Sequence, residues 1–266
     1  GGITSAVACH LASEWFGVEN VIFAFCDTGN EDDDTYRFKR DCERWYGKEI
    51  ITLKNEAYES IQAVWRKHLS LNVATGAICS TVLKRRVRED FQRVQPFSHQ
   101  VFGFEREEVG RAVNLKLNYS ETKPIFPLIM QLMSKKECIS RVQAQLIEPP
   151  RSYKMGFNNN NCLKTGCVQG GIGYWQKIGR DMPDVFDRMA EEEHFLSRQK
   201  GHPVTMLKDQ SKNGGLVFLT HNPESPDVKD MSTMKGREPK PLMECNGFCG
   251  ISDGLPRNPT EQAINF

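Results

Sequence analysis

The sequence predicts an α/β fold on a mostly parallel sheet, and three stretches predict it. Val21-Ile22-Phe23-Ala24-Phe25 is an unbroken apolar run bounded by turn residues, the pattern of a parallel strand buried on both faces. It ends in Cys26-Asp27-Thr28-Gly29-Asn30-Glu31, which puts polar groups at a strand's carboxyl end, the edge where open α/β sheets bind ligands. Ahead of it, Gly1-Gly2-Ile3-Thr4-Ser5 opens a helix with Val7, Leu11 and Trp15 on one side and Gly17 just past its end. Glycines and small hydroxyl residues at a helix N-terminus make a site for an anion. The backbone approaches closely, N–H groups point outward and the helix dipole favours negative charge. The same pattern also serves as an ordinary helix cap.

The elements follow in order. Asp34 is expected to cap a helix from Thr35 through Trp45, closed by Gly47, and Glu49–Leu53 reads as the next strand. Ser60 to Leu71 reads as a helix with Ile61, Val64, Trp65 and His68 inward; no partner stands at metal spacing from His68. Ile78 to Arg88 is a helix whose Arg85 and Arg88 read as a solvated basic face. Val101–Phe104 is a short buried strand, and the segment after it offers Glu107 and Arg111 as an i,i+4 ion pair. Ser134-Lys135-Lys136-Glu137 is a capping box opening a helix that runs to Pro149.

At Pro149-Pro150 the composition changes. Residues 156 to 175 are rich in Gly and Asn and read as a loop. An amphipathic helix is expected from about Pro183 to Ser197, with Val185, Phe186, Met189, Phe195 and Leu196 inward. Residues 201–243 are polar and punctuated by Gly and Pro, with one hairpin around Leu216–Leu219. The expected division is a nucleotide-binding domain over 1–150 and a helical, loop-rich region over 151–266.

The Gly-Gly-x-Thr-Ser loop, the strand ending in Asp27-Thr28-Gly29 and the Thr35-Tyr36-x-Phe38 helix together resemble the phosphoadenosine-phosphosulfate-reductase-like branch of the PP-loop ATP pyrophosphatases. The resemblance runs from Gly1 to about Gly173. It implies a three-layer α/β/α fold with a Rossmann-like, mostly parallel sheet and a Cys-bearing C-terminal appendage. It also implies ATP or phosphoadenosine phosphosulfate as the nucleotide. In that family a Ser-Gly-Gly-x-x-Ser loop holds phosphates, so Gly1, Gly2, Thr4 and Ser5 are assigned that role. The leading Ser and the strand expected ahead of the loop are absent and Met does not begin the chain, which predicts a natural polypeptide starting upstream of Gly1. Leu83-Lys84 resembles the segment that brings a lysine to the phosphates, where a compact point charge suits. Arg106 and Arg111 resemble the family's anion-binding arginines, which fork bidentately onto phosphate or sulfate. Pro124-Ile125-Phe126-Pro127-Leu128 resembles its Tyr-Pro-Leu turn. Asp27, with Thr28 and Gly29, is expected to meet Mg²⁺ or the ribose side of the nucleotide.

With 35 basic and 34 acidic residues, a formal net charge of +1 excludes a strongly basic nucleic-acid binder but leaves room for a local patch. No eighteen-residue apolar run and no signal peptide stand out, so a soluble cytoplasmic protein without membrane contact is expected. Nine cysteines in such a chain suggest thiols, metal ligands or catalysis rather than disulfides. Cys162 and Cys167 form one close pair and Cys245 and Cys249 another, the way a chain surrounds a single metal centre with four thiolates. Three readings stay open: a 4Fe-4S cluster, which the resemblance favours; a structural zinc; and unligated thiols with Cys245 as a nucleophile. Cys9, Cys42 and Cys138 read as small buried hydrophobes, while Cys26 and Cys79 stand at the ligand edge.

Two chemistries fit the resemblance. ATP cleavage at the α–β bond would adenylate an acceptor oxygen for displacement by sulfur, with Lys84 and Asp27 assisting, nucleic acid as acceptor and a protein sulfur donor or reductant. Phosphosulfate reduction would use Cys245, although only Glu244-Cys245 matches that motif and its His is missing. A zinc-stapled nucleotide-binding module without catalysis is the non-enzymatic alternative. Oligomeric state is open.

Overall fold

The computed structural model describes residues 1–73, 76–211, 214–240 and 242. Helix α1 (Ile3–Phe16) begins directly after Gly2 and is followed by strand β1 (Phe23–Asp27). The strand starts later than the apolar run because the Val21 N–H closes a 3-10 turn onto the Val18 carbonyl. Helix α2 (Asp33–Tyr46) is capped by Asp32, not Asp34: the Asp32 carboxylate accepts the Asp34 N–H. The Asp34 carboxylate is already engaged by the Arg37 side chain and the Arg151 N–H. Gly47 closes α2 in the left-handed conformation, as its position predicts. Strand β2 (Ile50–Lys54) pairs parallel with β1, Phe23 opposite Ile50 and Asp27 opposite Lys54.

Helix α3 (Ile61–His68) is capped by the Ser60 hydroxyl and stops at Leu69, which turns left-handed with φ 45°. That early stop leaves the last turn at the rim of the core, so His68 is exposed and stacks on Tyr58 instead of facing inward. A short antiparallel pair, β3 (Asn72–Val73) and β4 (Gly76–Ala77), leads into the basic segment. This is not one regular helix but α4 (Ile78–Ser80), a π-helical turn at Thr81–Arg85 and α5 (Arg86–Val94). Such wide turns are frequent where a helix serves a site.

Strand β5 (Gln100–Val101) is followed by α6 (Val109–Asn118) and pairs parallel with β6 (Pro124–Ile125). Then come α7 (Pro127–Met130) and α8 (Lys135–Ala144), which carries the expected Ser134–Glu137 capping box. It ends before Pro149, with Leu146 left-handed at φ 58°. Beyond it lie α9 (Arg151–Lys154), α10 (Ile172–Asp181) and α11 (Pro183–Lys200). A small sheet closes the described chain, β7 (Leu207–Lys208) antiparallel to β8 (Leu216–Phe218) and β9 (Lys229–Asp230) parallel to β8. The hairpin around Leu216 is thus present with a third strand added, and α10 occupies part of the expected loop.

Among the described residues the strands form four small sheets, of which β1–β2 and β5–β6 are purely parallel. Between β1 and β5 runs a cleft of about 880 Å³, lined by residues 21–26 and 100–103 and flanked by α1 and α5. The largest core joins Trp65 of α3 and Leu83 to Leu163, Trp175, Leu196 and Val217, so it draws on both sides of position 150. A second cluster packs α1 against Phe23, α2 and α8. A third gathers Phe102, Phe104, Ala112 and Leu115. No described helix is long and apolar enough to cross a membrane.

Candidate functional site

The first turn of α1 opens at one end of this cleft. Gly2 is the N-cap in extended conformation, with no side-chain cap and no acidic residue in the first turn. The positive end of the helix dipole is therefore not offset from within the turn. The first amide to bond along the helix is that of Ala6, to the Gly2 carbonyl at 3.1 Å. The amides ahead of it point out of the helix end, and that of Ile3 is taken by the Tyr153 hydroxyl at 3.2 Å. Ser5 lines the cleft beside Gly1. Thr4 is fully buried and its hydroxyl has no hydrogen-bond partner among the described residues.

Glycine is required at the loop by close packing. A Cβ on Gly1 would stand 2.6 Å from Thr35 Cγ2 and 3.2 Å from the Phe25 ring. On the other side, Gly103 presses against the loop so tightly that its Cβ would lie 2.7 Å from Ser5 Cα and N. The loop is thus clamped between α2 and the segment after β5.

Asp27, at the carboxyl end of β1, accepts the Tyr36 hydroxyl at 2.8 Å and the Gly29 N–H at 2.9 Å, both on Oδ1. Burial and the Asp27 carboxylate hold the Tyr36 phenol far above its ordinary range. Gly29 takes φ 74°, and a side chain there would meet the Glu59 carbonyl at 2.4 Å. Thr28 is buried, with its hydroxyl on Glu31 at 3.2 Å. Glu31 is buried too and stands 3.7 Å from the Lys84 amine. The π-helical turn thereby brings Lys84 to the cleft with its charge already facing a carboxylate.

Arg88 joins it there: it lines the same cleft, with a side chain only 12% exposed. Burial lowers its tendency to hold a proton. The expectation of a solvated face is corrected for this residue. The four-residue spacing from Lys84 was the signal, since i and i+4 share a helix face. Arg106 and Arg111 are placed otherwise. Arg106 is exposed and pairs with the adjacent Glu107. Arg111 is buried, ion-paired with Glu108 rather than Glu107, and lies 4.4 Å over the Phe104 ring. Neither is among the residues lining the cleft.

The thiols divide by surroundings. Burial pushes Cys42 and Cys138 up to about 12, which keeps them inert, as expected of small core residues. Cys26 lines the cleft, its sulfur 3.8 Å from the Lys84 carbonyl. Cys162 reaches the carboxyl edge of β1, with Sγ 3.4 Å from Thr28 Oγ1 and 3.6 Å from Glu31. Cys79 and Cys167 pack against the core cluster that contains Cys162. Cys245 and Cys249, on which a shared four-thiolate centre and the Cys245 nucleophile depend, lie outside the described residues. Among the described residues no three His, Cys, Asp or Glu side chains are grouped to hold a metal ion. Cys162 meets oxygen atoms, and Asp27 spends one carboxylate oxygen on Tyr36 and Gly29. Among the described residues, these side chains do not by themselves make up the ligand set of a cluster, zinc or Mg²⁺.

A glycine–hydroxyl loop opening a helix beside the carboxyl ends of parallel strands, with two part-buried cations lining the same cleft, is an α/β arrangement that can hold an anion. The family comparison agrees: residues 1–110 match the model of the phosphoadenosine phosphosulfate reductase domain. The match includes the loop, Asp27, Lys84 and Arg88 but not the 151–240 region. No curated protein and no solved structure matches the chain.

Proposed function

We propose that the chain binds ATP and cleaves it between the α and β phosphorus atoms to activate an acceptor for sulfur transfer. The observation that supports this most is the convergence of the Gly1–Ser5 loop, Lys84 and Arg88 on one cleft. The helix N-terminus and two cations offer positive charge along a polyphosphate. An acceptor oxygen attacks the α phosphorus, the bond to the bridging oxygen breaks, and pyrophosphate leaves with the electron pair. A sulfur nucleophile then displaces AMP from the activated carbon. The chain's own part is to hold the charged tail in line and stabilise the leaving pyrophosphate. Nucleic acid is the proposed acceptor class, supported by Arg85 and Arg86 of the basic run Lys84 to Arg88, which do not line the cleft.

Calorimetry with ATP tests the site. Ser5→Ala and Lys84→Ala are each expected to weaken ATP about tenfold or more, since loss of one charge-assisted bond is worth ~1.5–3 kcal/mol. Melting temperature is expected to hold in Ser5→Ala and to fall in Lys84→Ala, which takes the cation away from buried Glu31. Unchanged affinity in both variants overturns the assignment. The family match also favours reduction of a phosphosulfate. Sulfite released from phosphoadenosine phosphosulfate and a dithiol, without pyrophosphate formation from ATP and RNA, would select that reaction instead.

A further inference from the structure

Resting on the phosphate-loop reading, we propose that Asn160, fifty residues beyond the stretch that matches the family, locks the Gly1–Gly2 peptide in its anion-binding orientation. Asn160 is 4% exposed, and its amide group is bonded on three sides. Nδ2 donates to the Gly1 carbonyl and to Thr35 Oγ1, each at 2.9 Å. Oδ1 accepts from the Ser152 hydroxyl at 2.9 Å. One side chain therefore ties the loop to the first turn of α2 and to α9.

The Gly1 carbonyl is the significant contact. In a trans peptide the C=O and the following N–H point in opposite directions. Holding the Gly1 oxygen against Asn160 turns the Gly2 N–H to the opposite side. A peptide between two glycines otherwise flips readily, because neither flank carries a Cβ to resist it. A flipped peptide would present a carbonyl oxygen, a partial negative charge, where a phosphate is to bind. From the next residue of α9, Tyr153 holds the other flank by accepting the Ile3 N–H at 3.2 Å. Asn160 acts as a positioning residue: it contacts the loop, not the nucleotide.

The test compares ATP with adenosine on the full chain, by NMR titration with ¹⁵N-glycine labelling. Asn160→Ala is expected to weaken ATP by about tenfold or more while adenosine affinity stays within about twofold, because only the phosphate side depends on the peptide. The Gly2 amide, shifted by ATP in the parent chain, is expected to lose that shift. Should the alanine variant not fold, Asn160→Ser serves. Its hydroxyl is too short to reach Gly1, and the space it leaves admits water to Ser152 and Thr35. ATP affinity within about twofold of the parent in a folded variant, or equal weakening of ATP and adenosine, overturns the proposal. If the parent chain binds ATP through Ser5 and Lys84 while the Asn160 variants are silent, only the locking role fails. A parent chain that does not bind ATP refutes the site reading itself.

Discussion

Two buried carboxylates mark two regions built on opposite terms. Glu31, at the carboxyl edge of β1, is 2% exposed and faces the Lys84 amine. Glu193, on α11, is 0% exposed, and its hydrogen-bond partners among the described residues are the backbone N–H groups of Met206 and Leu219. At the cleft, Glu31 keeps a cation beside it, and Ser5 of the loop lines the open space. In the 151–240 region the carboxyl group binds α11 to Met206 and Leu219, the residues next to β7 and β8, and burial pushes it up to about 8. The contrast separates a site that holds charge ready from a core that neutralises it.

The largest expected effect lies on the closed side. Trp175 is fully buried in the largest core cluster, and its ring packs so closely on Gly166 that a Cβ there would stand 2.7 Å from it. Trp175→Ala is expected to cost ~3–5 kcal/mol, read as a lower urea midpoint. Because the same cluster includes Trp65 and Leu83, the loss is expected to reach the Lys84 turn as well. If ATP affinity survives intact while the 151–240 region becomes protease-sensitive, the two regions are energetically more separate than the shared core implies.

Glu193 comes next. Its carboxyl holds a proton in the folded chain up to about 8, against 4.5 for an ordinary glutamate. Between those values the native state binds more protons than the unfolded one. Stability therefore falls as pH rises through that window, by up to ~1.4 kcal/mol per pH unit, and levels off above it. Urea midpoints from pH 5 to 9 check this. Glu193→Gln retains one acceptor and does not titrate, so its midpoint is expected to vary less across the window, at a cost of ~1–3 kcal/mol for the N–H left without an acceptor. A parent chain equally stable at pH 5 and 8 would show the carboxyl to be ionised throughout.

The smallest effect separates the arginines. Arg88→Ala is expected to weaken ATP about tenfold, roughly 1.4 kcal/mol, whereas Arg106→Ala leaves it within about twofold. The reverse order would return the anion-binding role to the segment after β5, where the family resemblance first placed it.

These contrasts bear unequally on the sequence. The loop–helix start, the buried run of β1, Gly47, the Ser134–Glu137 box and most of α11 were legible because each depends on residues within a turn or two of one another. Apolar periodicity and capping act over that range. The cap of α2 falls two residues ahead of the expected one because three adjacent aspartates offer the same chemistry, and partners distant in the chain or on the next turn distinguish them: Arg151 on Asp32, Lys164 on Asp33 and Arg37 on Asp34. Arg88, Arg106 and Arg111 likewise share a residue type and differ in what faces them.

By itself, then, the sequence determined that a glycine loop opens a helix beside a buried strand that ends in polar groups, and residues 1–110 bear the family match that goes with it. The tertiary structure alone decided which cations line the cleft, which carboxyl group keeps its proton and what holds the loop. Tyr153 meets Ile3 across 150 positions and Asn160 meets Gly1 across 159. Neither pairing leaves a local pattern, because hydrogen bonding and desolvation depend on distance in space, and separation along the chain does not encode it.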